Sequence, residues 1–414
     1  MIALHQVLGF LALVGLCALL SEKRADIPWR TVLAALGLGF GLAALLIGVP
    51  ALKAPLAALN HAACALEQAT RAGTSLVFGH LGGGPLPYAE TQPGASFILA
   101  FRALPLLLVV SAVSALLFHL RILPIIVHGF ARVLSRTLGI GGAVGVSAAA
   151  NVFVGMVEAP LVVKPYLAKL SRGELFIVMT CGMATIAGSV LVLYASILGP
   201  VVPDALAHLL VASFVSTPIA IAVSVMLVPC RVGAADDLAL PPEDENAVAA
   251  VTRGTLEGLG LWLNVMAMLI VFVALVALAN TMLGVLPDVA GAPLSLERIL
   301  GLCFSPLAFA IGVPLDEALV VGGLLGKKTV LNELVAYLDL PALAAAGLSA
   351  RSRMLAIYAL CGFANFGSVG IMLGGLNSLL PAERRAELAR LGLKSVLSGL
   401  LSTCITASLV GLFL

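Results

Sequence analysis

Asn151-Val-Phe-Val-Gly155-Met-Val-Glu158-Ala-Pro160 is the stretch whose reading decides the fold. It lies inside a run from Thr137 to Val163 in which Glu158 is the only charged residue. An amide, a helix-breaking glycine, a carboxylate and a proline so close together make a poor continuous membrane helix. In hydrocarbon, broken backbone and an ionisable side chain persist only where protein buries them or where they line a wet cavity. Leu331-Asn332-Glu333-Leu334 repeats the theme about 175 residues later. Two intramembrane carboxylates at similar breaks point to a polar site built between two halves of the chain.

The surrounding composition agrees. Of 414 residues, 61% are hydrophobic and 11% charged, with a mean hydropathy of +1.13; a soluble domain carries about 25% charged residues. The chain is therefore expected to be an all-α polytopic membrane protein. Its net charge of +2 comes from dispersed rather than clustered basic residues and gives no reason to expect a nucleic-acid partner. The seven cysteines are scattered and read mostly as small buried thiols, and the six histidines lack metal-ligand spacing. There is no His-Glu-x-x-His and no Gly-x-Ser-x-Gly. Gly322-Gly-Leu-Leu-Gly326-Lys-Lys-Thr329 has the wrong glycine spacing and hydroxyl position for a phosphate loop, so neither an enzyme nor an ATP-driven pump is indicated.

Spans need about 20 apolar residues. Candidates are 2–20, retained rather than cleaved, then 29–49, 100–118, 174–198, 205–229, 255–284, 352–377 and 387–413. A surface helix is expected from Ala54 to Arg71, an amphipathic interfacial helix from Leu120 to Leu138, and a re-entrant hairpin across 144–170. A second apolar segment, 299–340, is expected to break around Gly326-Lys327-Lys328-Thr329. Gly182-Met-Ala-Thr-Ile-Ala-Gly-Ser-Val190 echoes Gly362-Phe-Ala-Asn-Phe-Gly-Ser-Val369, each a similar distance after its glutamate. Lys23, Arg24, Arg30, Arg121 to Arg136, Lys164, Lys169, Arg172, Arg231, Arg253 and Arg384 to Lys394 mark one side as cytoplasmic, and Val232 to Glu245 reads as a solvated acidic loop on that side. The pattern predicts eight transmembrane helices plus two re-entrant hairpins in inverted-topology repeats, with both termini outside. That is secondary-transporter architecture. The divisions are 1–122 (helices 1–3), 123–143 (interfacial helix), 144–230 (first repeat), 231–254 (cytoplasmic loop), 255–284 (helix 6) and 285–414 (second repeat).

The polar residues define the ligand chemistry. Carboxylates accept paired hydrogen bonds from vicinal hydroxyls, and Glu158, Glu333, Asn365 and Ser368 supply acceptors and donors at mid-depth. Asn151, Thr185 and broken-helix carbonyls near Val154 and Ile186 offer hard oxygens for a small cation. At these motifs, together with Lys328-Thr-Val-Leu-Asn-Glu333-Leu-Val-Ala-Tyr337, the chain resembles the concentrative nucleoside transporter family from about Leu99 to the C-terminus. The resemblance implies a homotrimer in the inner membrane with a scaffold of helices 3 and 6 and a mobile unit holding both hairpins. It places Glu333, Asn365 and Ser368 on the ribose, and Met156, Val157, Glu158, Val190 and Phe363 near the base. It places Asn151, Val154, Thr185 and Ile186 around sodium. Met156 and Val157 stand where the family usually has Gln and Thr or Ser. The expected function is cation-coupled uptake of nucleosides such as uridine or adenosine, with no cofactor beyond the coupling ion. Proton coupling and a passive channel for small polar solutes are the alternatives.

Overall fold

The computed structural model describes residues 2–49, 51, 53–91, 95–230, 244–289 and 291–414. Among them the chain is helical, the one extended feature being an isolated bridge between Val289 and Ala292. Most of the acidic loop expected from Val232, with Arg231 before it, lies outside the described residues.

The first half runs α1 (Ile2–Leu19), α2 (Trp29–Gly48), α3 (Lys53–Phe78), α4 (Leu99–Arg102), α5 (Leu106–His119) and α6 (Ile122–Leu138). It continues with α7 (Gly142–Ala150), α8 (Glu158–Val162), α9 (Lys164–Leu167), α10 (Arg172–Ala184), α11 (Gly188–Leu198) and α12 (Ala205–Leu227). The second half holds α13 (Ala247–Leu283), α14 (Leu296–Ala310), α15 (Leu315–Val330), α16 (Glu333–Ala345), α17 (Ala350–Leu360), α18 (Phe366–Leu379) and α19 (Arg385–Val410). From α13 onward the order of elements parallels that from α5: a span, an amphipathic helix, a hairpin pair, a broken pair, a closing span. Among the described residues six stretches, 29–48, 99–119, 172–198, 205–227, 247–283 and 382–410, are long and apolar enough to cross a bilayer. The shorter α1 and the broken pair α17/α18 occupy the other two positions where spans are expected.

The structure corrects three local expectations. The surface helix over 54–71 is part of the longer α3, which ends where Arg71 and Thr74 donate to the carbonyls of Gly83 and Gly82. The second apolar segment does not break at Gly326–Thr329: α15 runs through these residues, and the break falls at Leu331–Asn332. Within that segment α14 is a separate helix, and it meets α15 at 116° through a turn in which Gly312 adopts φ +100°. The loop expected over 231–254 also gives way early, because Asn246 caps α13 and the helix begins at Ala247; the cysteines, by contrast, are mostly buried as expected, Cys17, Cys181, Cys361 and Cys404 among them.

Packing follows the sequence pattern. α6 buries Leu123, Val127, Phe130, Ala131, Leu134 and Leu138, one stripe at helical spacing. α10 is started by a reciprocal capping box between Ser171 and Glu174. With α12 and α19 it forms the densest part of the interior, most of whose apolar side chains are fully buried. At one end of the molecule Glu22 accepts from both Arg172 (2.5 Å) and Lys394 (2.7 Å), and the Arg172 guanidinium above all holds its carboxyl down at about 2. This ties the α1–α2 connection to α10 and α19. At the other end the buried Gln6 donates to the carbonyls of Ile311 (2.6 Å) and Ser408 (2.7 Å) and accepts from Arg351 (2.9 Å).

α13 stands apart. Its 37 residues extend about 55 Å, well beyond the roughly 30 Å of a bilayer's hydrocarbon. It buries only Ala250, Gly254 and Gly258, and these face α5. A methyl on Gly254 would stand 2.6 Å from the Ser111 carbonyl oxygen, and one on Gly258 2.8 Å from Leu108 Cα, so small residues four apart set the separation of the two helices. Trp262 adds a hydrogen bond to the Ala100 carbonyl. Gly258→Val is expected to prise this pair apart at a cost of about 1–3 kcal/mol. The check is thermal unfolding of the purified protein in detergent; an unchanged midpoint would show that α5 and α13 are not held by this contact.

Candidate functional site

Two broken helices cross at the centre of the molecule. The first is α10–α11, interrupted at Thr185–Ala187, where Thr185 is extended (φ −122°, ψ 171°). The second is α17–α18, interrupted at Cys361–Asn365. The Phe363 amide donates to the Thr185 carbonyl at 3.3 Å, so each break satisfies part of the other. The approach is close because Gly362 has no side chain: a methyl there would lie 2.8 Å from both the Met183 carbonyl oxygen and Thr403 Cγ2.

The tip of the first hairpin lies against the first break. After α7 the chain is irregular from Asn151 to Val157, turning at Gly155 with φ +118°, a region that glycine enters without strain. The Gly188 amide donates to the Phe153 carbonyl at 3.0 Å, and a methyl on Gly188 would stand 2.7 Å from that oxygen. Asn151 is buried beside Gly182, and its side-chain oxygen has no hydrogen-bond partner among the described residues. Thr185 spends its only hydroxyl proton on the Cys181 carbonyl (2.9 Å), which leaves its oxygen as an acceptor. Val154, half-buried, and Ile186, buried, flank the same contact. Four candidate cation ligands thus sit on two chain breaks that touch.

The residues assigned to the base side are spread around this tip. Met156 is buried with its Cβ against Gly182, and Val157 packs on Gly375 of α18. Glu158 begins α8 with an exposed carboxylate that curls back toward Gly155. Val190 is buried on the first turn of α11, and Phe363 is half-buried at the second break.

The second hairpin brings its glutamate to the second break. Asn332 caps α16 by accepting from the Val335 amide (2.9 Å), which places Glu333 on the first helical turn. Glu333 is buried, and both of its oxygens are engaged: Tyr194 donates to Oε1 at 2.6 Å, and the Asn365 amide to Oε2 at 3.0 Å. Asn365 also caps α18, its oxygen accepting from the Ser368 amide at 2.7 Å, so its amide group is left facing Glu333. Ser368 is buried one turn further on. Each carboxylate oxygen keeps a lone pair beyond these bonds, a pattern suited to two adjacent hydroxyls.

Two residues in this region escape sequence reasoning. Tyr194, four residues after Val190 and so on the same helical face, reaches Glu333 from 139 positions away. Lys328 is fully buried, donating to the Ala359 carbonyl (2.8 Å) and to Thr403 Oγ1 (2.9 Å). A Lys327-Lys328 pair inside an apolar stretch is the available signal for it, and that signal reads as a helix break or a failed phosphate loop rather than as a buried anchor.

Comparison with known proteins agrees with this architecture. The Na+ dependent nucleoside transporter C-terminus family matches residues 208–411, its N-terminus counterpart 8–81, and a nucleoside recognition (Gate) family 100–201. A nucleoside permease of Helicobacter pylori, NupC, is 36% identical over 100% of this chain and 98% of its own. The sodium/nucleoside cotransporter 1 of Mus musculus is 33% identical over 96% of this chain and 63% of its own. A solved structure of CNTnw in an inward-facing substrate-bound state superposes with a TM-score of 0.92 at 36% identity, covering 100% of this chain and 98% of that one. A CNTnw variant in an outward-facing state gives 0.90 at 35% identity, with the same coverage. The chain belongs to the Na+-dependent, concentrative nucleoside transporter family. It is a multi-pass membrane transporter and not an enzyme.

The crossing of the two breaks can be tested by a pair of glycine substitutions. Gly362→Ala is expected to cost about 1–3 kcal/mol, because the methyl meets backbone on one side and Thr403 on the other. Gly370→Ala, in α18 with nothing within 4 Å, is expected to be neutral or to stabilise by about 0.5–1 kcal/mol. Thermal unfolding of the two variants side by side decides it, and equal midpoints would remove the crossing from its central place.

Proposed function

We propose that this protein is a sodium-coupled nucleoside symporter of the inner membrane, carrying nucleosides such as uridine or adenosine inward by an elevator-type movement. The observation that carries the reading is the buried Glu333, held by Tyr194 and Asn365 at the tip of a broken hairpin, with a lone pair free on each oxygen. Such a carboxylate is costly within a membrane and is matched to a vicinal diol, the feature that every ribonucleoside shares. Glu333, Asn365 and Ser368 hold the ribose in this reading. Val190, Phe363, Glu158, Met156 and Val157 border the base, the last two presenting an apolar wall.

Sodium is supported by Asn151 and Thr185. Both present neutral oxygens, the Asn151 oxygen is buried without a protein partner, and Val154 and Ile186 add backbone carbonyls from the same touching breaks. An elevator is supported by the α5/α13 pair, which packs together through two glycines of α13 while α13 fully buries only one residue more. The parallel order of elements from α5 and from α13 supports two repeats, which the charge distribution arranges with opposite topology. The apolar outer face of α13, with Leu263, Ile270, Val271, Leu275 and Leu278 exposed, is suited to lipid and to like copies in a homotrimer. The Glu22–Arg172–Lys394 cluster collects three basic connections at one end and supports a cytoplasmic placement of that end, with both termini on the far side.

Uptake of labelled uridine and adenosine into proteoliposomes, with sodium and proton gradients imposed separately, tests the whole reading. Uptake driven by a proton gradient in sodium-free buffer overturns sodium coupling, and uptake indifferent to both gradients overturns symport. For the sugar site, Glu333→Gln loses charge-assisted bonds of about 1.5–3 kcal/mol each, so uridine affinity should fall about tenfold or more while 2′-deoxyuridine loses part of its disadvantage. For the ion site, Thr185→Val should raise the sodium concentration for half-maximal uptake, with uridine affinity at saturating sodium nearly unchanged.

A further inference from the structure

Tyr194 has no place in the binding sets above, yet its environment is the most constrained around the glutamate. It lies on α11 in the first half of the chain and is fully buried, while its hydroxyl bonds a carboxylate on α16 in the second half. Its ring lies 5.0 Å from that of Tyr337, tilted at 49°, and the Tyr337 hydroxyl is itself committed to the Ile357 carbonyl at 3.0 Å. Neither ring can swing away without leaving a buried hydroxyl unpaired. A carboxylate on a glutamate stem rotates freely about its last bond unless both oxygens are fixed. Asn365 fixes one and Tyr194 the other, from opposite halves of the chain.

We infer that Tyr194 is a positioning residue for sugar recognition: its hydroxyl, braced by Tyr337, sets the plane of the Glu333 carboxylate so that the free lone pair on each oxygen meets one of two vicinal hydroxyls. The inference rests on the ribose reading of Glu333 given above and adds how that group is oriented. Without the tyrosine hydroxyl, Oε1 turns to satisfy itself, and the carboxylate meets one sugar hydroxyl well and the other badly. The loss therefore falls on ligands that carry both hydroxyls.

The test uses the purified full chain at saturating sodium, with affinities measured for uridine, 2′-deoxyuridine, 3′-deoxyuridine and adenosine. In Tyr194→Phe, uridine affinity is expected to fall about tenfold, and its advantage over each deoxy analogue to shrink about threefold or more. The uridine-to-adenosine ratio should hold, because the base is not read through Glu333. Tyr337→Phe serves as the packing control: it disturbs the same aromatic pair but removes a hydroxyl bonded to backbone, so it should lower stability and leave the sugar ratio alone. If Tyr194→Phe does not fold, 4-fluorophenylalanine installed at position 194 fills the space of the hydroxyl without donating, and the sugar ratio should shrink in the same way. A folded Tyr194→Phe or 4-fluorophenylalanine protein with the wild-type sugar ratio overturns the inference, as does an equal change of that ratio in Tyr337→Phe. Wild-type protein that binds no nucleoside overturns the ribose reading itself, a result distinct from either.

Discussion

The hydrogen bond from the Phe363 amide to the Thr185 carbonyl is the point on which the rest of the structure depends. Each partner lies in a helix interruption, and an interrupted helix inside a membrane exposes amides and carbonyls that lipid cannot satisfy. By crossing the two interruptions at Gly362, the chain lets each supply part of what the other lacks. The hairpin tips complete the arrangement: Gly188 takes up the Phe153 carbonyl, and Asn332 and Asn365 cap the helices that follow their breaks. The polar centre is in this sense a consequence of solving the backbone problem in a particular way, and the ligand chemistry occupies the capacity left over.

That residual capacity is unevenly distributed. At the first break it consists of neutral oxygens, those of Asn151 and Thr185 among them. At the second it is a carboxylate whose orientation is over-determined. Lys328 lies five residues before Glu333 and joins α15 to Ala359 and Thr403, so the helix leading into the second tip is anchored from two directions. The first tip is held by the backbone bond from Gly188 to Phe153 rather than by a buried charge. Its glutamate is exposed and its neighbours Met156 and Val157 are apolar, which makes it the softer of the two walls around whatever occupies the space between them.

Much of this is legible in the sequence because membrane folding makes polar residues conspicuous. Asn151, Glu158 and Glu333 stand out in charge-poor runs, and Gly155 marks the turn between α7 and α8. The position of the second break is not legible by the same logic. Gly326-Lys327-Lys328-Thr329 has the composition of an interruption, but the glycine admits Leu300 at close range, Lys327 pairs with Asp339 and Glu297, and the partners of Lys328 lie 31 and 75 positions away. Local pattern cannot see partners that distant. Tyr194 is hidden for the same reason: a tyrosine on an apolar helix face looks like ordinary core until Glu333 is folded against it.

Gln6 carries a consequence for how the molecule is made. α1 is synthesised well before its partners, because all those of this side chain come from late in the chain: the Ile311 carbonyl, Arg351 and the Ser408 carbonyl, the last of them 402 positions downstream. A methyl on Gly9 would collide with the Ala310 carbonyl, so the backbone there is fitted to the same late-arriving turn. During synthesis α1 must therefore wait in the bilayer with an amide that lipid cannot satisfy. A segment inserted ahead of all its partners is thus among the last to reach its final setting.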